Sequence, residues 1–427
     1  MSPYLTTSGN LRVDGARLWA SIMEMAKIGA LPGGGCGRLA LTDDDRRGRD
    51  LFASWCEQAG CAVTVDEMGN MFARRPGRNP DLPPVAAGSH LDTQPHGGKF
   101  DGVFGVLAAL EVVRILNDAG VETEAPIEVI NWTNEEGSRF APGMIASGVF
   151  AGLFDRDFAY GVRSPEGETL GDELARIGYR GTESCGEHPL GALFEAHIEQ
   201  GPILEAEGVP IGVVSGAQGQ RWYDVEVRGR DSHAGTTPMP ARKDALAAAA
   251  RMAARVEDIA LGKAPDAVGT VGQFNVSPNS RNTIPGAVRF SVDLRHPDAG
   301  VLAAMDVEIR DSFTAIAERG DVEVTIAQIW EKPPIEFDAR CVKAVREAAA
   351  GLGYTHQDIV SGAGHDACQV CTVVPTGMIF VPCEDGISHN EIESATPENL
   401  EMGCNVLLHA MLAMAGGVPE TSGSLHP

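Results

Sequence analysis

Residues 84–132 read PVAAGSHLDTQPHGGKFDGVFGVLAALEVVRILNDAGVETEAPIEVINW, and this stretch decides the fold. Two short apolar segments, 84–90 and 127–132, flank a longer apolar segment, 102–120, which has the length of a helix. The preceding residues 61–75 predict two further strands. Strands that alternate with helices predict an α/β sheet with helices on both faces. Polar side chains follow the strands directly, and the carboxyl ends of strands are where open α/β sheets place their sites.

Length and charge narrow the class of protein. The 427 residues are too many for one ordinary core, so two domains are expected. The net charge of -25 argues against partners that need a basic surface, namely nucleic acids and anionic membranes. No apolar run approaches the roughly 18–20 residues that cross a bilayer, so no transmembrane segment is expected.

Cysteine usage and the first residues indicate the compartment. Nine cysteines at irregular spacing favour reduced thiols over a disulfide framework. The first residues lack a charged segment followed by a continuous apolar stretch, so no export signal is predicted. Cys368 and Cys371 form an isolated C-x-x-C, which we interpret as small buried residues in a helix. These features predict a cytoplasmic protein.

The sequence pattern changes near residue 216 and changes back near residue 331. Between these points it predicts strand, helix, strand, strand, helix, strand, an order that resembles a ferredoxin-like unit. Residues 217–330 are therefore predicted to be a domain inserted into a catalytic domain formed by residues 1–216 and 331–427. The predicted strands of the insertion are 221–229, 268–276, 286–295 and 321–330, and its predicted helices are 240–260 and 297–319.

Five possible metal ligands lie far apart in the chain, each in a Gly-rich or acidic motif. Imidazoles, terminal carboxylates and one carboxylate able to bridge are the ligands that two divalent cations need. Each ligand alone has an ordinary alternative, such as a helix cap or a core histidine, but together they predict a metallohydrolase. Such ligands suit zinc, manganese, cobalt or nickel. The five are His90 and Asp101 in GSHLDTQPHGGKFDG, Glu136 in NWTNEEGSRF, His197 in EAHIEQGP and His389 in DGISHNE.

Two acidic residues beside these ligands have predicted roles. Glu135 precedes Glu136, and successive side chains of an extended segment point in opposite directions. One glutamate can then bind a metal while the other acts as a general base on water, although a solvated pair is the ordinary alternative. Asp92, two residues after His90, is predicted to accept the imidazole N–H and fix its tautomer.

Three residues of the inserted domain resemble substrate-binding groups. His233 in RDSHAGTTPM and Asn282 in SRNTIPG could donate hydrogen bonds to a developing oxyanion. Arg295 in VDLRHPD has a guanidinium fork that matches a substrate carboxylate. A surface salt bridge is the alternative role for Arg295.

The motifs GSHLDT, GGKFDG, TNEEGSRF, HIEQGP, HAGTTPM, RNTIPG and GAGHDA occur in this order. They resemble the metal-dependent amidohydrolases that include N-carbamoyl-L-amino-acid hydrolase, β-ureidopropionase and allantoate amidohydrolase, a branch of the aminoacylase and carboxypeptidase clan. The resemblance covers nearly the whole chain. It implies a two-domain α/β architecture, in which a di-metal, exopeptidase-like catalytic domain carries an inserted ferredoxin-like lid that also forms a homodimer.

The resemblance also implies roles for individual residues. Asp101 would bridge two divalent ions, with zinc the expected metal, and Glu135 would be the general base. Gln200 and His365 would contact substrate, together with the three residues of the inserted domain. Through the dimer, His233 would reach the partner's active site.

The expected reaction is hydrolysis of the ureido C–N bond of an N-carbamoyl amino acid, giving the amino acid, carbon dioxide and ammonia. Three alternatives remain open. The enzyme could act on allantoate or on another N-acyl amino acid, and a peptidase of the same clan is also conceivable. A catalytically silent homologue that binds metal or ligand is the non-enzymatic alternative, and the presence of both Glu135 and Glu136 argues against it.

Overall fold

The computed structural model describes residues 11–416, and these divide into two compact units. One unit comprises the described residues up to Ser215 and from Phe337 onward, and the other is Gly216–Glu336. The second boundary lies later than the predicted position 331. The reason is that Ile335 and Glu336 form a short strand that pairs with Ala217 and Gly216. The first and last residues of the inserted unit are therefore paired with each other.

The segment before the insertion alternates strands and helices, as predicted. Thr42 caps the second helix by accepting the N–H of Asp45, and the acidic residues of its first turn favour the helix dipole. The elements are α1 (Gly15–Met25), α2 (Asp43–Gln58), β1 (Ala62–Val65), β2 (Met71–Arg75), β3 (Val85–His90), α3 (Val103–Asp118), β4 (Ile127–Trp132), α4 (Ile145–Phe150), α5 (Arg156–Gly161), α6 (Leu170–Ile177), β5 (Ala192–Ile198), α7 (Ile203–Glu207) and β6 (Ile211–Ala217).

The long elements of the inserted unit follow the predicted order, and three short strands that were not predicted are added at Ser232–His233, Thr283–Ile284 and Ile335–Glu336. The predicted strand 268–276 is two strands, broken at residues 271–273, and both pair with the same neighbour. The elements are β7 (Gly219–Arg228), β8 (Ser232–His233), α8 (Ala245–Leu261), β9 (Val268–Thr270), β10 (Phe274–Ser277), β11 (Thr283–Ile284), β12 (Ala287–His296), α9 (Ala299–Gly320), β13 (Glu323–Lys332) and β14 (Ile335–Glu336). The sheet order is β10-β12-β7-β13, and side chains of α8 and α9 form a buried core with those of β7 and β12.

The last segment completes the first unit with α10 (Ala339–Leu352), β15 (His356–Ser361), α11 (Ala367–Val370), β16 (Thr376–Val381) and α12 (Pro397–Met414). Cys368 is buried in α11 and Cys371 is half-buried just after it. None of the helices in residues 11–416 is long and apolar enough to cross a lipid bilayer.

The sheet of the first unit has the order β1-β2-β4-β3-β5-β16-β6, and β15 also pairs with β6. The central strands β4, β3, β5 and β16 run parallel to one another, and every residue in them is buried. Such strands are typical of a sheet covered on both faces. The predicted α/β class is therefore confirmed. Because the four strands are parallel, their carboxyl ends meet at one edge of the sheet.

Candidate metal centre

The edge formed by the four parallel strands carries all five predicted metal ligands. His90 is the last residue of β3, and His197 is the residue before the end of β5. Glu136 follows β4 and His389 follows β16, each in an irregular loop. Asp101 stands just before α3, whose first turn covers this edge.

The first donor set consists of His90, Asp101 and His197, all buried. Asp101 Oδ1 lies 3.5 Å from His90 Nε2 and 3.2 Å from His197 Nε2. The Nδ1–H of each imidazole donates to a backbone carbonyl, that of Asp92 for His90 and that of Ile198 for His197, both at 2.9 Å. Each Nε2 therefore presents its lone pair toward Asp101, as is usual for histidine ligands, and that of His197 also accepts the N–H of Gly102 at 3.1 Å.

The second donor set consists of Asp101, Glu136 and His389. His389 Nε2 lies 3.5 Å from Asp101 Oδ2 and 3.4 Å from Glu136 Oε2. The two oxygens of Asp101 therefore face different sets. Ligands at about 2.0–2.2 Å from a tetrahedral ion lie roughly 3.3–3.6 Å from one another. The donor distances in both sets fit a divalent cation.

Electrostatics favour the same conclusion. Burial opposes a charge on His90, but Glu135 and Asp101 outweigh it and raise the pKa of the imidazole well above its ordinary value. Burial raises the pKa of Glu136 to about 8, and the neighbouring charge of Asp101 adds to this effect. The cluster thus takes up protons when no cation is bound. A divalent ion would replace those protons, because metal binding to such ligands releases them.

Glycine at position 102 allows the main chain next to Asp101 to approach the imidazole of His90. Its φ of +68° lies in the left-handed region, and a Cβ there would lie 2.3 Å from an atom of the His90 imidazole. Any other residue would push α3 and Asp101 away from the histidine.

Glu135 lies beside the first donor set but is not part of it. Its Oε2 is 3.5 Å from His90 Nε2, and burial raises the pKa of this carboxyl group well above its ordinary value. The segment is not extended, because Asn134 has a φ of +58°. The two glutamates nevertheless reach different neighbours, Glu135 the imidazole of His90 and Glu136 that of His389.

Asp92 contacts the imidazole of His90 through its backbone carbonyl and not through its carboxylate. The imidazole N–H of His90 donates to the backbone carbonyl of Asp92, and the nearer carboxylate oxygen is 4.0 Å away. The carboxylate instead accepts the backbone N–H groups of Glu135 and Glu136, both at 3.3 Å. The tight loop after β3 turns the carbonyl toward the ring, which spacing along the chain does not reveal. Asp92 therefore holds the loop that carries both glutamates.

Amide and hydroxyl groups complete the centre. Gln200 Nε2 and Ser388 Oγ each donate to Asp101 Oδ2 at 2.7 Å, and Gln94 Nε2 donates to Glu136 Oε2 at 2.6 Å. Gln200 is thus in contact with a candidate ligand, whereas the resemblance implies a substrate contact for it. We did not predict Gln94 or Ser388, and their positions within the ligand motifs GSHLDTQPHGGKFDG and DGISHNE were the available signal.

Glu393 is a further buried carboxylate that sequence reasoning missed. It accepts the backbone N–H groups of Phe100 and Asp101 at 2.9 and 3.1 Å. Burial raises the pKa of its carboxyl group to about 7, and the charge of Asp101 adds to this. Nothing in its local sequence distinguishes it from the neighbouring glutamate at 391.

His365 lies in a second buried polar cluster behind His197. The two imidazole centroids are 4.6 Å apart, and both residues offer an atom within 4.8 Å of a Glu195 oxygen. Glu195 accepts the hydroxyl of Ser89 at 2.6 Å, and His365 Nε2 lies 3.0 Å from the hydroxyl of Ser361. The structure thus brings His365 against a candidate ligand.

His233 and Asn282 are neighbours within the inserted unit. Strands β8 and β11 pair next to them, and the N–H of Ala234 donates to the carbonyl of Asn282 at 2.9 Å. His233 Nδ1 accepts the N–H groups of Gly235 and Thr236 at 3.0 and 3.2 Å, so Nε2 carries the proton of the neutral ring. The exposed edge of His233 is therefore a hydrogen-bond donor.

Arg295 lies on β12 of the same unit and is 29% exposed. Its guanidinium group donates to both oxygens of Asp293, at 2.8–3.2 Å. The salt bridge that we considered as the alternative role is thus present. A substrate carboxylate would have to compete with Asp293 for this group.

Comparisons with known proteins agree with the resemblance. Residues 86–413 match the model of peptidase family M20/M25/M40. The N-carbamoyl-L-amino-acid amidohydrolase of Rhizobium meliloti is 53% identical, over 95% of this chain and 98% of the relative. The allantoate amidohydrolase of Bacillus subtilis is 33% identical, over 92% and 95%.

A solved structure matches as well. The crystal structure of a hydantoinase/carbamoylase family amidase from Burkholderia multivorans aligns with a TM-score of 0.93 at 60% identity, over 95% of this chain and 98% of that chain. The family model covers more than half of the chain, and the relatives extend over nearly all of it. The chain therefore belongs to peptidase family M20/M25/M40.

Proposed function

We propose that this protein hydrolyses the ureido C–N bond of an N-carbamoyl-L-amino acid to give the amino acid, carbon dioxide and ammonia. The observation that carries the proposal is the position of Asp101, with one oxygen 3.2 Å from His197 Nε2 and the other 3.5 Å from His389 Nε2. A carboxylate between two sets of donors suits a pair of divalent ions. The name of the 53% identical relative supports the choice of substrate.

The proposed centre holds two ions, with zinc as the expected metal. His90 and His197 would hold one ion, Glu136 and His389 the other, and Asp101 both. When bound, divalent cations make water nucleophilic near neutral pH and polarise a carbonyl oxygen.

Glu135 is proposed to accept the proton of the attacking water and to deliver it to the leaving nitrogen. A carboxyl group with a raised pKa is suited to both transfers, because a base works best when its pKa approaches the working pH. Its location beside His90, outside both donor sets, leaves its oxygens available for this purpose.

The inserted unit is proposed to supply the groups that bind substrate. The Nε2–H of His233 and the amide of Asn282 would donate to the oxyanion of the tetrahedral intermediate. Arg295 would bind the substrate carboxylate through both of its terminal nitrogens. Gln200, which contacts Asp101, and His365, which lies behind His197, are proposed as further substrate contacts.

The function is tested by ammonia and amino-acid release from a panel of purified compounds. The panel contains N-carbamoyl-L- and D-amino acids, N-carbamoyl-β-alanine, N-acetyl amino acids and allantoate. We expect turnover of N-carbamoyl-L-amino acids that stops with a chelator and returns with zinc or manganese. Turnover of allantoate alone would instead favour the activity of the Bacillus subtilis relative. Turnover of acetylated substrates alone would indicate an N-acyl amino acid amidase.

Substituting Arg295 tests the recognition of the carboxylate. In Arg295→Lys the charge remains but the two-point fork is lost. Since hydrogen bonds to charged groups contribute about 1.5–3 kcal/mol, we expect kcat/KM to fall by about 10–100-fold. The measurement compares a carboxylated substrate with its methyl ester, for which wild type and variant should differ little. An equal loss on both substrates would contradict the proposed clamp.

A homodimer in the cytoplasm is the proposed state of the protein. Trp222 and Trp330 of the inserted unit are 39% and 44% exposed, with ring centroids 6.1 Å apart, and Ile329 beside them is 55% exposed. Exposed apolar groups that adjoin one another are typical of interaction surfaces. Light scattering should therefore give a mass of about twice 45.0 kDa.

A further inference from the structure

The segment that carries His389 fits into a groove lined by glycines. A Cβ at Gly33 would lie 2.2 Å from Glu391 Oε2, and one at Gly35 would lie 2.6 Å from Glu391 Cα. A Cβ at Gly98 would lie 2.0 Å from the carboxyl carbon of Glu393. At Gly35 the contact is with the main chain of the segment, so only glycine allows this approach, whereas at Gly33 and Gly98 a larger residue would displace the two glutamate side chains. Packing against these glycines therefore positions residues 388–393 independently of any bound metal.

Glu393 links this segment to Asp101. Its side chain is 4% exposed, and Oε1 accepts the backbone N–H groups of Phe100 and Asp101. At the other end of the segment, the Ser388 hydroxyl donates to Asp101 Oδ2 and lies 3.3 Å from Glu393 Oε2. The residue between these contacts, His389, has a φ of +54°. Glu393 thus binds the backbone of Asp101, and Ser388, at the other end of the segment, binds its carboxylate.

Burying a carboxylate costs free energy unless hydrogen bonds compensate for it. Glu393 accepts its hydrogen bonds from the main chain next to Asp101, the residue common to both donor sets. Glu391 differs, because its oxygens contact the N–H of Gly33 and the imidazole of His96 rather than the centre. The two glutamates therefore form a matched pair in one segment: Glu393 contacts the main chain at Asp101 itself, whereas Glu391 contacts Gly33 and the more distant His96.

We propose that Glu393 is a positioning residue that sets the distance between Asp101 and His389 and thereby the affinity of the second donor set for its cation. It does not touch the cation. It fixes the main chain of Asp101 relative to the segment that presents His389, whose imidazole is 52% exposed. The proposal rests on the proposed two-ion function.

The test uses two substitutions of Glu393 in the full-length, metal-free protein. Glu393→Met keeps the volume but removes both acceptors, and Glu393→Gln keeps one acceptor oxygen for the two N–H groups. Cobalt(II) is titrated by calorimetry while the visible absorption of the bound ion is recorded. Glu391→Gln is the matched control, and circular dichroism with thermal unfolding reports the folding of each variant.

We expect Glu393→Met to bind the second cobalt about 10–100-fold more weakly than wild type, with an altered absorption spectrum, since loss of an outer hydrogen-bond partner typically has this effect. Glu393→Gln and Glu391→Gln should stay within about 3-fold. If the methionine variant fails to fold, Glu393→Asp, whose carboxylate is retracted by one methylene, should show the same weakening.

Unchanged affinity and spectrum in a folded Glu393→Met variant would overturn the proposal, as would an equal loss in Glu391→Gln. These results are independent of substrate. A wild-type protein that binds two cobalt ions but hydrolyses none of the panel would defeat the proposed reaction and leave the role of Glu393 intact.

Discussion

Glu135→Gln should lower kcat for an N-carbamoyl-L-amino acid by about 10²–10⁴-fold, the usual contribution of a general acid or base. Glutamine has nearly the same shape as glutamate but cannot take a proton from water. KM should change little, because no contact of Glu135 is assigned to substrate binding. The measurement is steady-state kinetics on the metal-loaded variant, together with its metal content.

The metal content of the variant distinguishes a general base from a metal ligand. Glu135 Oε2 is 3.5 Å from His90 Nε2, close enough that the carboxylate could itself be a ligand. If Glu135 is the base, the variant keeps both ions. The adjacent substitution Glu136→Gln is the control and should weaken metal binding, since Glu136 belongs to the second donor set. A Glu135→Gln variant that loses an ion would contradict the role of base, and one that retains activity would exclude it.

Asp101→Ala should remove both cations and with them nearly all activity. Its carboxylate is the only group that belongs to both donor sets among the described residues. We therefore expect a loss of metal affinity greater than the roughly 10–100-fold that an outer hydrogen-bond partner contributes. Equilibrium dialysis followed by elemental analysis measures the ions retained per chain.

His389→Ala is the matched comparison, because this imidazole belongs to the second set alone. It should leave one ion bound through His90 and His197. If Asp101→Ala retained one tightly bound ion, or His389→Ala lost both, the division into two sets joined by Asp101 would be wrong.

The fold class and the family were accessible from the sequence because they depend on local patterns. Apolar segments 84–90 and 127–132 predicted strands, and both are confirmed as buried parallel strands. The motifs around His90 and Glu136 predicted the family, which the comparisons confirm. The individual roles of these residues remain predictions.

The contacts that complete the centre were not accessible in this way. Ser388 and Asp101 are hydrogen-bonded although they are 287 positions apart, and Glu393 is 292 positions from Asp101. Neither pairing has a signature in spacing or residue type. The sequence also did not reveal which oxygen of Asp92 faces the imidazole, since this depends on the turn of the main chain and not on the residue type.

The positions of the ligands along the chain have a consequence for biosynthesis. His90, Asp101 and His197 precede the insertion, whereas His389 follows it. The strand that carries His197, β5, lies between β3 and β16, and β16 is made only after the inserted unit. Because domains generally fold as units, the contiguous inserted unit can fold before the unit that holds the ligands is complete. The second set cannot exist until almost the entire polypeptide has been released. The metal centre should therefore form only after the inserted unit and the last segment have both been synthesised.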